Sequence, residues 1–256
     1  MKLFKFNYIS ILLSLIILAS CSSDDDSDNT SNDPRAENIK SLGVSAGDLL
    51  SSTTYTSLTV ELAYTIGLRP RQETIDAFKV FLEERLNKPD GISFFETEII
   101  TPLVDTQSID DIVEIEAEQR TIYTVGDDIA VFVYFTHAKS DNDSETTKTL
   151  GTAYLNTSMV VFEQTLKNLS QSQGFDLFIL EETTIQHEFG HLLGLVNLRD
   201  DDIHNNHEDT AHGNHCIVED CLMYYKTNRS QSFRNRSSVP ELDPLCIEDL
   251  QAKGGK

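Results

Sequence analysis

Hydrophobic and polar positions change period several times along the body of the chain. Residues 56–68 (TSLTVELAYTIGL) alternate and are rich in β-branched side chains, which predicts a strand. Residues 73–86 place Ile75, Phe78, Leu82 and Leu86 on one face of a helix. Residues 91–99 read as a strand after the turn Pro89-Asp90-Gly91, and residues 109–120 as a short acidic helix. The continuously apolar run 130–136 (AVFVYFT) predicts a buried central strand. A polar loop over 139–149 leads to 151–162, which read as two short strands or one bent strand. Helical spacing returns over 176–195, where Leu180, Ile185, Phe189, Leu192 and Leu193 recur. Residues 197–214 are polar and loop-like, and a short helix is expected over 247–252 after Pro240 and Pro244. Strand, helix, strands, helix in this order predicts a layered α/β (α+β) domain with a twisted mixed sheet over residues 51–256.

The N-terminal pattern is an address. Lys2 and Lys5 precede residues 9–18, which are apolar except for two Ser and too short to span a membrane comfortably. The stretch closes in Leu18-Ala19-Ser20-Cys21, which resembles a bacterial lipobox, so residues 1–21 are expected to be a lipoprotein signal with Cys21 lipidated. Residues 22–50 open with Ser-Ser-Asp-Asp-Asp-Ser-Asp and are expected to form a disordered acidic tether. An acidic run at this place resembles the surface-export signal of Bacteroidetes lipoproteins. The expectation is an outer-membrane lipoprotein, facing the periplasm or the cell surface and held by its lipid alone.

The charge narrows the partners. The sequence has 42 acidic residues against 20 Lys and Arg, a net charge of -22. Such a surface repels nucleic-acid phosphates and offers no basic patch to anionic lipid. A monomer acting on a peptide or protein is expected.

Residues 187–194 read His-Glu-Phe-Gly-His-Leu-Leu-Gly. Four residues apart on a helix, His187 and His191 project from one face and can chelate one Zn²⁺ at about 2.0–2.1 Å. Glu188 is offset by about 100° around the helix, where it can serve as general base to a metal-activated water. Gly194 can take a positive φ and turn the chain sharply.

This segment resembles the metzincin zinc peptidases, in which that turn delivers a third ligand three residues after the glycine. Here Asn197 stands at that position, and Asn is a poor zinc ligand. His204, His207, His212 and His215 follow within twelve residues. His215-Cys216, four residues, Cys221, one residue and Met223 are similar to the archaemetzincin signature. The resemblance implies that His215 is the third ligand; His207, His212 and Asn197 also stand open for that place. It also implies that Met223 is a Met-turn residue, an apolar floor under the metal, and that Tyr225 stabilises the oxyanion. In archaemetzincins the two Cys and a later C-x-x-C hold a structural zinc; here the later motif is Cys246-Ile247-Glu248-Asp249, with Asp last. A second zinc on Cys216, Cys221, Cys246 and an Asp or His is one reading. An exported location favours the other, one disulfide, Cys216–Cys246 or Cys216–Cys221, with a buried third thiol.

The implied function is zinc-dependent endopeptidase, in the manner of Bacteroidetes lipoprotein metalloproteases. The rival is a silent surface lipoprotein that binds a ligand and uses zinc for stability; the presence of Glu188 favours turnover. Residues 151–162 precede the active helix as the substrate-binding edge strand does in metzincins.

Overall fold

A computed structural model of the chain describes residues 33–227, 233 and 236–256. The expected signal segment, Cys21 and the first part of the expected tether lie outside the described residues.

The elements follow the hydrophobic pattern closely. In order they are α1 (Ala46–Leu50), β1 (Ser57–Thr65), α2 (Gln72–Arg85), β2 (Gly91–Ile99), β3 (Thr106–Gln107), α3 (Ile109–Gln119) and β4 (Asp128–Phe135). Then come β5 (Lys139–Ser140), β6 (Gly151–Leu155), β7 (Ser158–Val161), α4 (Glu163–Gln173), α5 (Leu177–Leu192) and α6 (Pro244–Ala252). The main sheet has the order β2-β1-β4-β7-β6. Every neighbour pair is parallel except the last, where β6 runs antiparallel to β7 and leaves its other side as a sheet edge. β3 and β5 form a small parallel pair beside it.

The continuous apolar run sits in the middle of this sheet because both of its faces are covered. Alternate residues of β4 divide between two cores. Ile129, Val131, Val133 and Phe135 face α2, α4 and α5, whereas Phe132 and Tyr134 face α3 with Ile112 and Ile115. On the first face Phe78 of α2 meets Phe189 of α5 edge-on at 5.4 Å. The helix that carries the His motif is therefore locked onto the sheet by its apolar positions, while its other side turns toward the edge strand β6. α3 begins at a capping box in which Ser108 and Asp111 satisfy each other's backbone N–H.

Two expectations need correction. Residues 33–50 are not tether: Leu49 and Leu50 are fully buried. Asn38 is buried too; its side-chain amide donates to the Ala130 carbonyl and Thr157 hydroxyl, each at 2.9 Å, and its Oδ1 accepts the Thr124 N–H at 2.8 Å. The polarity of the segment conceals this, because its anchors are two asparagines, Asn38 and Asn156, bonded to backbone. α4 falls on a stretch to which the pattern assigned no element; it buries Leu166 and Leu169 and ends at Gly174 with φ +74°. No helix among the described residues is long and apolar enough to cross a membrane.

Candidate metal centre and active-site cleft

α5 begins under an Asp176 cap, whose carboxylate accepts the Phe178 N–H at 2.9 Å. One helical turn separates His187 from His191, and their rings lie 5.0 Å apart. The helix stops where Gly194 takes φ +71°. A side chain there would also press on Ala46 at 3.1 Å and on Lys253 Nζ at 3.2 Å. The chain leaves on the polar loop that follows and returns at His215, whose ring lies 5.3 Å from His187 and 5.1 Å from His191. One ring nitrogen from each of the three lies within 4.8 Å of the others.

Carbonyls fix the tautomers. His187 Nδ1 donates to the Leu222 carbonyl at 2.8 Å. His215 Nδ1 donates to the carbonyls of His212 and Gly213 at 2.9 and 3.0 Å. A carbonyl only accepts, so both Nδ1 atoms carry a proton and both Nε2 atoms are the ones left for a metal. Burial first, and the neighbouring His215 next, hold His187 down at about 3. Burial and the other two imidazoles keep His191 well below the usual histidine range. His187 and His191 are thus neutral, the form that ligates. Glu188 is buried beside them; its Oε2 accepts the Ala153 N–H of β6 at 2.8 Å, and burial pushes its carboxyl up to about 8.

These groups line an open cleft of about 440 Å³. Thr152 and Ala153 of β6 form one wall, and Leu42 of the packed N-terminal segment joins the lining. Tyr225 faces the same cleft, its ring stacked on His212. Met223 is fully buried and packs under α5 against Gly190, where an added Cβ would run into its sulfur.

A second donor cluster lies one residue beyond His215. His207, Cys216, Asp243 and Cys246 each bring a donor atom within 4.8 Å of the rest, and all four are buried. Cys221 Sγ lies 3.8 Å from Cys246 Sγ, and His207 Nδ1 lies 3.5 Å from Cys216 Sγ and 3.8 Å from Cys246 Sγ. A tetrahedron with bonds of about 2.3 Å to sulfur has sulfur–sulfur edges of about 3.8 Å, so the spacing fits one ion. His207 Nε2 donates to Asp249 Oδ2 at 2.9 Å, which turns Nδ1 toward the sulfurs. The thiols of Cys221 and Cys246 point at Cys216 and push its pKa down, and their own rise in consequence.

The cluster revises two expectations. His207 is not near His187 and His191; it belongs with the thiols. Neither expected disulfide is present, since Cys216, Cys221 and Cys246 are all free. Asn197 and His212 do not supply the third imidazole-site ligand either. The Asn197 side chain is directed at Asp200 and Glu208, and His212 Nδ1 donates to Asp209. What the sequence pattern does not disclose is Asp249 as the carboxylate that aims His207. Its one signal is its place in the altered C-x-x-C.

No protein-family model and no curated protein sequence matches the chain. Among solved structures the fold is similar to archaemetzincin from Methanopyrus kandleri, with TM-score 0.51 and 14% identity over 77% of this chain and 96% of that one. It is also similar to a zinc-dependent peptidase from Methanocorpusculum labreanum, with TM-score 0.47 and 17% identity over 75% of this chain and 99% of that one.

Proposed function

We propose that the chain is a zinc-dependent peptidase in which His187, His191 and His215 hold one Zn²⁺ and Glu188 is the general base. The observation that carries this reading is the meeting of three imidazoles with a buried carboxylate, on the wall of an open cleft beside a sheet edge. Three nitrogen donors suit Zn²⁺ and leave a fourth position open, as in catalytic rather than structural sites. When bound, Zn²⁺ supplies Lewis acidity toward a carbonyl oxygen and lowers the pKa of water to about 7. The archaemetzincin named above agrees with the reading at the level of fold.

The side chains divide the work. The outer edge of β6 pairs with an extended peptide, which sets the scissile carbonyl in the cleft. Glu188 receives the proton that water loses on attacking the carbonyl carbon, then passes it to the departing amine nitrogen. Tyr225 directs its phenol at the developing oxyanion. Met223 and Leu222 hold the floor, the latter through the carbonyl that fixes the His187 tautomer.

His207, Cys216, Cys221 and Cys246 hold a second, closed zinc that serves structure. Cys21 carries the lipid that retains the protein on the outer membrane; labelled palmitate should enter the wild-type chain and be absent from Cys21→Ser.

The decisive experiment measures bound metal and hydrolysis of a quenched-peptide library by wild type and Glu188→Ala. Turnover should fall about 10²–10⁴-fold in the variant with its metal retained. Wild-type protein that binds zinc and cleaves nothing would instead support a silent, zinc-stabilised binding lipoprotein.

A further inference from the structure

The polar loop after α5 does more than carry His215 home. Its last turn, residues 209–215, also brings the ring of His212 flat against Tyr225, with ring centroids 3.6 Å apart and planes 6° from parallel. The imidazole is itself held: His212 Nδ1 donates to Asp209 Oδ2 at 2.8 Å, and Asp209 Oδ1 accepts the Ala211 N–H at 3.0 Å. The Asp209 N–H donates to the His215 carbonyl at 2.7 Å, so the turn closes on the metal-site histidine. On another side Tyr224 meets the Tyr225 ring at 4.8 Å and 64°.

We propose that His212, oriented by Asp209, is a positioning residue for Tyr225, which it holds flat at the rim of the cleft for the transition state. This rests on the peptidase reading above. A tyrosine on a loop must keep its rotamer to act on a transition state, and displacement by about 1 Å can cost about 10²-fold in rate. A neighbouring ring that stacks offers area and fixes a plane at little entropic cost. The geometry separates two tasks within one residue. The His212 carbonyl accepts from His215 Nδ1 and supports the metal ligand, whereas the His212 side chain touches Tyr225. Replacing the side chain leaves the carbonyl in place.

The test is a double-mutant cycle on the full, zinc-loaded chain with the best peptide from the library. His212→Ala should lower kcat about tenfold with KM little changed and bound metal unchanged. His212→Phe, which keeps a flat ring, should recover most of the loss. In a Tyr225→Phe background, His212→Ala should cost nothing further. Independently of turnover, 3-fluorotyrosine labelling of the metal-free protein gives a resonance for Tyr225, assigned by its loss in Tyr225→Phe. It should shift in His212→Ala and return in His212→Phe. Equal losses in both backgrounds, no rescue by Phe, or an unmoved resonance would each overturn the proposal while leaving the peptidase reading intact. Zinc-loaded wild type without turnover would remove both.

Discussion

Two donor clusters lie on either side of the peptide bond between His215 and Cys216, and the chain assembles them in opposite ways. The imidazole cluster takes two of its three members from one turn of α5, so helix geometry alone places them. The thiol cluster takes His207 from the loop after α5, Cys216 and Cys221 from the segment after His215 and Cys246 from α6. No local period sets its spacing; tertiary packing does. The first cluster opens into a cleft. The second is buried and closes on itself, and Asp249 and Asp243 compensate its polar atoms. What differs is whether the donor atoms face open space or protein.

That difference can be broken by exchanging which cluster is damaged. His187→Ala should abolish turnover and remove one bound metal while lowering Tm by a few degrees. Cys221→Ser should also remove one metal, yet lower Tm by about 10 °C or more, because binding energy at a closed site is folding energy. Calorimetry beside metal analysis reads both. If Cys221→Ser keeps two metals and the wild-type Tm, the thiols are an ordinary buried cluster.

The same contrast explains what a sequence discloses and what it hides. His187, Glu188 and His191 are legible because their chemistry depends on spacing within one helix. The strand over residues 91–99 is legible because the Pro-Asp-Gly turn before it is local. His207 is easily placed at the wrong site because a histidine in a polar loop has no period, and its partner Asp249 lies 42 positions away. Leu42 is hidden for a similar reason: its segment reads as solvated tether, while Asn38 and Asn156 bind it to backbone through bonds that composition cannot reveal.

A smaller effect asks how rigid the floor under the imidazole cluster is. In an exposed helix Gly→Ala gains about 1 kcal/mol. At Gly190 the new methyl would collide with the fully buried Met223, so Gly190→Ala should instead destabilise by about 1–3 kcal/mol. Gly190→Ala should cost less in a Met223→Ala background than in wild type, because the clash partner is gone. Denaturant titration decides it, and a stabilised single variant would mean that Met223 yields and the floor is soft.

The smallest effect lies further up α5, away from both clusters. Glu182 is buried, and its Oε1 accepts from Gln186 Nε2 at 2.5 Å. Burial pushes its carboxyl up to about 8, against an ordinary value of 4.5. Between those two values the unfolded chain has lost the proton and the folded chain still holds it, so this group's contribution to stability falls as pH rises. Below about 4.5 both states are protonated and the contribution is flat. Glu182→Gln keeps an oxygen for Gln186 and removes the ionisation. The variant's advantage in Tm should therefore be near zero at about pH 4, grow steadily to about pH 8 and level off beyond it. An advantage independent of pH would show that Glu182 is already charged in the folded protein at about pH 5, and that water reaches it through the helix packing.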